Sequence, residues 1–101
     1  MRLTAFEQQT IKELSQQYFG KDAHIWLFGS RVDDHERGGD IDLYLETPEQ
    51  DRKKLMKAKG DFLWELQENI GFQKIDFVLH QQGAKTLPIY EVARQEGILL
   101  I

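Results

Sequence analysis

The sequence predicts a small α/β (α+β) domain, a mixed β-sheet of three or more strands flanked by helices. Three observations carry this. Segments with apolar residues three and four apart interleave with short apolar or alternating runs, in the order helix, strand, loop, strand, helix, strand, helix. Glycines fall at the joints: Gly20, Gly71 and Gly97 follow helical stretches and Gly29 follows a strand. The chain has 101 residues with no internal repeat and no linker, so residues 1–101 are read as one domain.

The first helix runs from Thr4 to about Phe19. Thr4-Ala5-Phe6-Glu7 has the form of a capping box, in which the Thr hydroxyl accepts a backbone N–H and the Glu reaches back. Ile11, Leu14 and Tyr18 follow at helical spacing, and Gly20 stops the helix. Ala23 to Phe28 is a short apolar run and reads as a largely buried strand. Arg31 to Gly39 is polar and reads as a loop, with or without a short helix before it. Asp40 to Glu46 alternates, so Ile41, Leu43 and Leu45 share one strand face and Asp40, Asp42 and Tyr44 the other. Thr47-Pro48-Glu49-Gln50 reads as the start of a second helix, capped by Thr47 and ended by Gly71, with Gly60 inside it. Phe72 to Leu79 reads as an interior strand with Asp76 in its middle. Gln81-Gln82-Gly83 is a turn, and Pro88 to about Glu96 a last helix. The apolar tail Ile98–Ile101 reads as a short strand packed on the core or as an exposed patch that binds a partner.

Composition removes several function classes. Thirteen basic and seventeen acidic residues leave a net charge of −4, so no general attraction to a polyanion and no direct nucleic-acid binding are expected. The absence of cysteine removes disulfides, thiolate metal sites and cysteine nucleophiles together, and suits a reducing compartment. No apolar run approaches the roughly 20 residues that span a bilayer. The N-terminus lacks a signal-type apolar region. A cytoplasmic protein without membrane contact is the expectation.

Asp40, Asp42 and Asp76 carry the chemistry. Asp40 and Asp42 project from one strand face with Cα atoms roughly 6.5–7 Å apart. Paired carboxylates repel unless a cation lies between or beside them, and oxygen-only ligation selects a hard metal such as Mg²⁺. A third carboxylate from a neighbouring strand would complete a two-metal site for phosphoryl displacement. Read alone, Asp40-Ile41-Asp42 is a strand end with solvated acids, whereas Asp76, flanked by apolar residues, is harder to read as a water-facing residue of an edge strand. Gly29-Ser30 is a turn after a buried strand, where a ligand phosphate can approach the backbone and Arg31 adds positive charge.

Phe28-Gly29-Ser30-Arg31, the loop from Arg31 to Gly39, Asp40-Ile41-Asp42-Leu43 and the later Lys74-Ile75-Asp76-Phe77 together resemble the nucleotidyltransferase superfamily related to DNA polymerase β. The Gly-Gly-Asp-Ile-Asp-Leu context resembles the minimal nucleotidyltransferases (MNT) of HEPN/MNT toxin–antitoxin pairs. The motif segments cover residues 25–46 and 72–79. The spacer is one residue shorter than in many relatives, a change a loop absorbs without moving the strands.

The resemblance implies a nucleotidyltransferase fold and a set of roles. Gly29 and Ser30 would hold a triphosphate, with Arg31 touching phosphate. Asp40 and Asp42 would hold two Mg²⁺ ions. Asp76 would bind one of them and help activate the acceptor hydroxyl. The implied reaction moves AMP from ATP, or another NTP, to a tyrosine hydroxyl of a partner HEPN toxin, which makes this chain the antitoxin. Few residues follow Asp76, so the acceptor pocket is expected to come partly from another chain, a partner or a second copy in a homo-oligomer. Two alternatives stand beside this reading: an antitoxin that neutralises by binding with weak or no catalysis, and an enzyme acting on a small aminoglycoside-type acceptor.

The remaining polar residues read more plainly. His24, His35 and His80 lack metal-ligand spacing, although His35 lies in the loop that a nucleotide would approach. Arg52, Lys53, Lys54, Lys57 and Lys59 do not all share one helical face. They read as a solvated helix surface or as a contact for an acidic partner or RNA. Tyr44 reads as a core tyrosine with its hydroxyl at the edge, on the face of the acids.

Overall fold

The computed structural model describes residues 3–29 and 40–101. Its elements run α1 (Ala5–Phe19), β1 (His24–Phe28), β2 (Ile41–Thr47), α2 (Arg52–Ile70), β3 (Ile75–Gln81), α3 (Pro88–Glu96) and β4 (Ile98–Leu99). The sheet order is β3-β2-β1-β4. β1 is antiparallel to both its neighbours, whereas β2 and β3 are parallel and joined through α2. The expected mixed sheet flanked by helices is therefore present. Among the described residues no helix is long and apolar enough to cross a membrane.

Helix α1 begins as its sequence dictates. Thr4 Oγ1 accepts from the Glu7 N–H at 3.0 Å, and Glu7 Oε1 accepts from the Thr4 N–H at 2.9 Å. Ile11, Leu14 and Phe19 form its buried stripe. With Leu55, Ala58, Phe62 and Leu66 of α2 they cover one sheet face, where Ile25, Leu27, Ile41, Leu43 and Leu45 are fully buried. Each such side chain contributes about 1.5–3 kcal/mol relative to exposure. Phe62 packs against both Phe19 and Phe77, at centroid distances of 5.6 and 5.4 Å. The Tyr18 hydroxyl donates to Glu65 across α1 and α2, and that bond pushes the phenol up to about 12.

Two element boundaries differ from expectation. Thr47 does not cap α2. It is the last residue of β2, fully buried and paired with Gln81 of β3, and its carbonyl accepts from the Gln82 N–H at 2.8 Å. The cap is Asp51, whose Oδ1 accepts from the N–H groups of Lys53 and Lys54. Sheet pairing outcompetes the capping-box pattern because it satisfies backbone groups and buries the side chain together. β3 starts at Ile75 rather than Phe72. Phe72 is 87% exposed, and Gln73 is held by the Gln67 side chain instead. β3 is also an edge strand, not an interior one. Helix α2 continues through Gly60 without interruption.

The apolar tail forms β4, paired with β1 at Trp26 and Leu27, and Leu100 is buried beside it. The opposite sheet face carries Trp26, Asp42, Tyr44, Asp76 and His80. Helix α3 lies over part of it, with Tyr90 against Tyr44 and His80.

Candidate active site

Three chain segments meet at one end of that second face. In the parallel β2–β3 register Asp42 lies directly opposite Asp76, and in the antiparallel β1–β2 register it lies opposite Phe28. Neighbouring strands are about 4.8 Å apart, so the two carboxylates stand side by side on the same face. Gly29 closes the site from β1. A Cβ on Gly29 would lie 2.1 Å from Asp42 Oδ2, and its φ of +75° lies in the left-handed region. Glycine is required there twice over, by conformation and by the carboxylate packed against it.

The electrostatics follow from this crowding. Asp42 is half-buried and its carboxyl is pushed up to about 6 from an ordinary 3.8. Burial is the largest cause. A hydrogen bond to Asp76 comes next, then the negative charges of Asp76 and Asp40, with Lys74 opposing them. Asp40 is drawn toward Lys74, whose Nζ is 3.4 Å from Asp40 Oδ2. Asp76 is exposed. Asp42 and Asp76 are therefore brought together, with Asp40 near enough to act on Asp42 through its charge. Among the described residues no three acidic or histidine side chains converge as a ligand set for one metal ion. Ser30 and Arg31 lie outside the described residues, as does His35.

The two carboxylates brought together, Asp42 and Asp76, are of the donor type that a divalent cation takes. The oxygens are hard, they come from two adjacent strands, and their charges repel one another. Two residues outside the sequence-predicted site act on this face, and both have a period-two signal. Lys74, two residues before Asp76, offsets part of the acidic charge. Glu46, two residues beyond Tyr44, belongs to a second polar cluster on the same face.

That cluster is built differently. Tyr44 is fully buried, and its hydroxyl donates to Glu46 Oε2 at 3.0 Å. His80 Nδ1 lies 2.9 Å from the Tyr44 hydroxyl oxygen. The phenol has one proton, given to Glu46, and the imidazole tautomer sets whether His80 Nδ1 or Nε2 carries the ring hydrogen. His80 Nε2 faces the Ala84 carbonyl at 3.3 Å, and the imidazole stacks on Tyr90 at 4.1 Å. Arg94 Nη1 stands 3.8 Å from Glu46 Oε2. Burial and the Glu46 contact hold the Tyr44 phenol well above its usual range. Tyr44 is a core tyrosine as expected, but its partners are structural. His80 is a buried member of this cluster, and His24 sits on the surface.

Comparison of the chain with protein-family models and with curated proteins finds no match.

Proposed function

We propose that this chain is an Mg²⁺-dependent nucleotidyltransferase that moves AMP from ATP to a hydroxyl group. The resemblance to minimal nucleotidyltransferases makes a tyrosine of a partner HEPN toxin the acceptor, and antitoxin action the outcome. The observation that carries the reading is the meeting of Gly29, Asp42 and Asp76 at one end of the sheet. Carboxylates crowded enough to raise one of them to about 6 are poorly explained by folding alone.

In this reading Asp42 and Asp40 supply oxygen ligands, and Asp76 completes the set. A bound divalent cation would neutralise charge at the α-phosphate and acidify the acceptor hydroxyl. Asp76 is exposed on an edge strand, so a hydroxyl carried by a second macromolecule can reach it. It takes the hydroxyl proton as the acceptor oxygen bonds to the α-phosphorus. The bond from that phosphorus to the α–β bridging oxygen breaks, and pyrophosphate leaves. Gly29 lets the turn after β1 pack against Asp42, and the resemblance gives phosphate binding at that turn to Gly29, Ser30 and Arg31. Positioning and charge compensation then account for most of the catalysis.

The test is incubation of the purified protein with Mg²⁺ and α-labelled ATP in lysate from its source, beside Asp42→Asn. A labelled protein band is expected with the wild type and reduced at least about a hundredfold in the variant. Unchanged labelling by a folded variant rejects the mechanism. Protection of cells by an Asp40→Asn/Asp42→Asn double variant would assign antitoxin action to binding alone.

A further inference from the structure

The basic residues of α2 divide into two groups. Lys54 pairs with Glu49 at 2.9 Å and Lys57 with Asp61 at 2.8 Å. Arg52, Lys53 and Lys59 have no carboxylate partner among the described residues. Arg52 and Lys59 stand two helical turns apart, and at spacings of three, four and seven residues Arg52, Leu55, Met56 and Lys59 share one side of the helix. That side lines a cavity of about 320 Å³, closed by Leu79 and His80 of β3 and by Tyr90 of α3. The volume is at the lower end of small-ligand sites, about 300 Å³ and above.

The cavity walls are unequal in chemistry. Leu55 and Leu79 give an apolar floor, and Met56 is 51% exposed beside it. The polar atoms of His80 are already engaged, by Tyr44 and Ala84. The Tyr90 hydroxyl has no hydrogen-bond partner among the described residues. Two cations without a carboxylate partner, a phenol without a hydrogen-bond partner among the described residues and an apolar surface thus line one space. A bare anion would leave Met56 uncovered, and an uncharged ring would leave both cations unpaired.

We propose that this cavity binds a nucleoside monophosphate, with the phosphate between Arg52 and Lys59 and the base against Met56 and Tyr90. About 10 Å of helix separates the two cations, a gap their long side chains close from opposite sides. Arg gives two parallel donors to phosphate oxygens and Lys a mobile charge. A single mononucleotide is favoured over an RNA chain because the space is bounded by three elements and the whole chain carries −4. The site is separate from the acids: His80 lies four residues beyond Asp76 on β3, about 13 Å along the strand. It rests on its own residues and does not depend on nucleotidyl transfer.

The experiment is titration of the full chain with AMP in EDTA, followed by calorimetry and by the NMR signals of Met56 and Tyr90. Saturable binding is expected, weakened at least about tenfold in Arg52→Glu/Lys59→Glu and unchanged in Asp42→Asn. Circular dichroism of the double variant checks its fold, and Lys59→Ala is expected to weaken binding in the same direction. Absence of saturation below ~10 mM, or binding indifferent to both sets of variants, overturns the proposal. Inorganic phosphate binding as tightly as AMP would reduce the site to an anion contact and also overturn it. A 5′-phosphorylated oligoribonucleotide binding much more tightly than AMP would replace the mononucleotide with RNA. Loss of transfer by Asp42→Asn with AMP binding intact would separate this site from the proposed activity.

Discussion

The two ends of one sheet face hold polar residues in opposite ways. At one end, Asp42 and Asp76 face each other with Asp40 nearby, and once both are ionised acceptor oxygens meet acceptor oxygens. Two residues along β2, Tyr44 meets Glu46 and His80, so that groups able to donate stand beside acceptors. Both ends come from the same two strands in the same register, so backbone geometry does not distinguish them. Side-chain chemistry does. The matched end stabilises the fold by satisfying buried groups. The mismatched end is costly until something positive arrives, and such a cost at an open strand end points to a ligand.

The comparison is sharpest at Gly29. Gly29→Ala places a methyl group where Asp42 Oδ2 now lies and forces a side chain into a positive-φ conformation. Transfer activity is expected to fall about a hundredfold, as for a misplaced reacting group, with a stability loss of about 1–2 kcal/mol. A variant that loses stability and keeps activity would break the assignment of this end to chemistry.

At the matched end the expectation reverses. Tyr44→Phe leaves Glu46 and His80 without their shared partner in a buried setting. Urea denaturation should show a loss of about 1–3 kcal/mol, while transfer by the folded fraction changes little. A stabilised Tyr44→Phe would remove the distinction between the two ends.

The smallest effect has the most diagnostic sign. Asp42 holds its proton more tightly folded than unfolded, so its contribution to stability is present below about pH 4. That contribution is lost as pH rises toward and through about 6. Asp42→Asn should therefore match the wild type near pH 4 and exceed it above pH 6 by about 1 kcal/mol, after discounting for solvent screening. Mg²⁺ should raise the wild-type Tm at neutral pH and leave the variant unmoved. A variant less stable than the wild type at pH 7 without metal would contradict the crowding of the acids.

Much of the fold was legible because its signals are local. The capping box of α1, the alternation of β2 and the Pro88 start of α3 each involve neighbours in sequence, and each element appears where expected. What was illegible depends on partners distant in sequence. Thr47 looked like a cap and became a strand residue because Gln81 lies opposite it. Asp76 looked interior because its neighbours are apolar, yet only strand order decides that β3 is an edge. The acids were visible as residue types, and their approach came from register. The Tyr44–His80 bond and the cavity beside α2 had no sequence signal, since they join elements that only the folded sheet brings together.

The parallel pairing of β2 and β3 also has a kinetic meaning. Asp42 and Asp76 are separated by the whole of α2, so they meet only when that helix has crossed over and β3 has docked. Parallel pairing of this kind is slow because loop closure precedes its reward. The repulsion between the acids therefore adds to the cost of closing that crossover, and the buried contacts of α2 are what offset it.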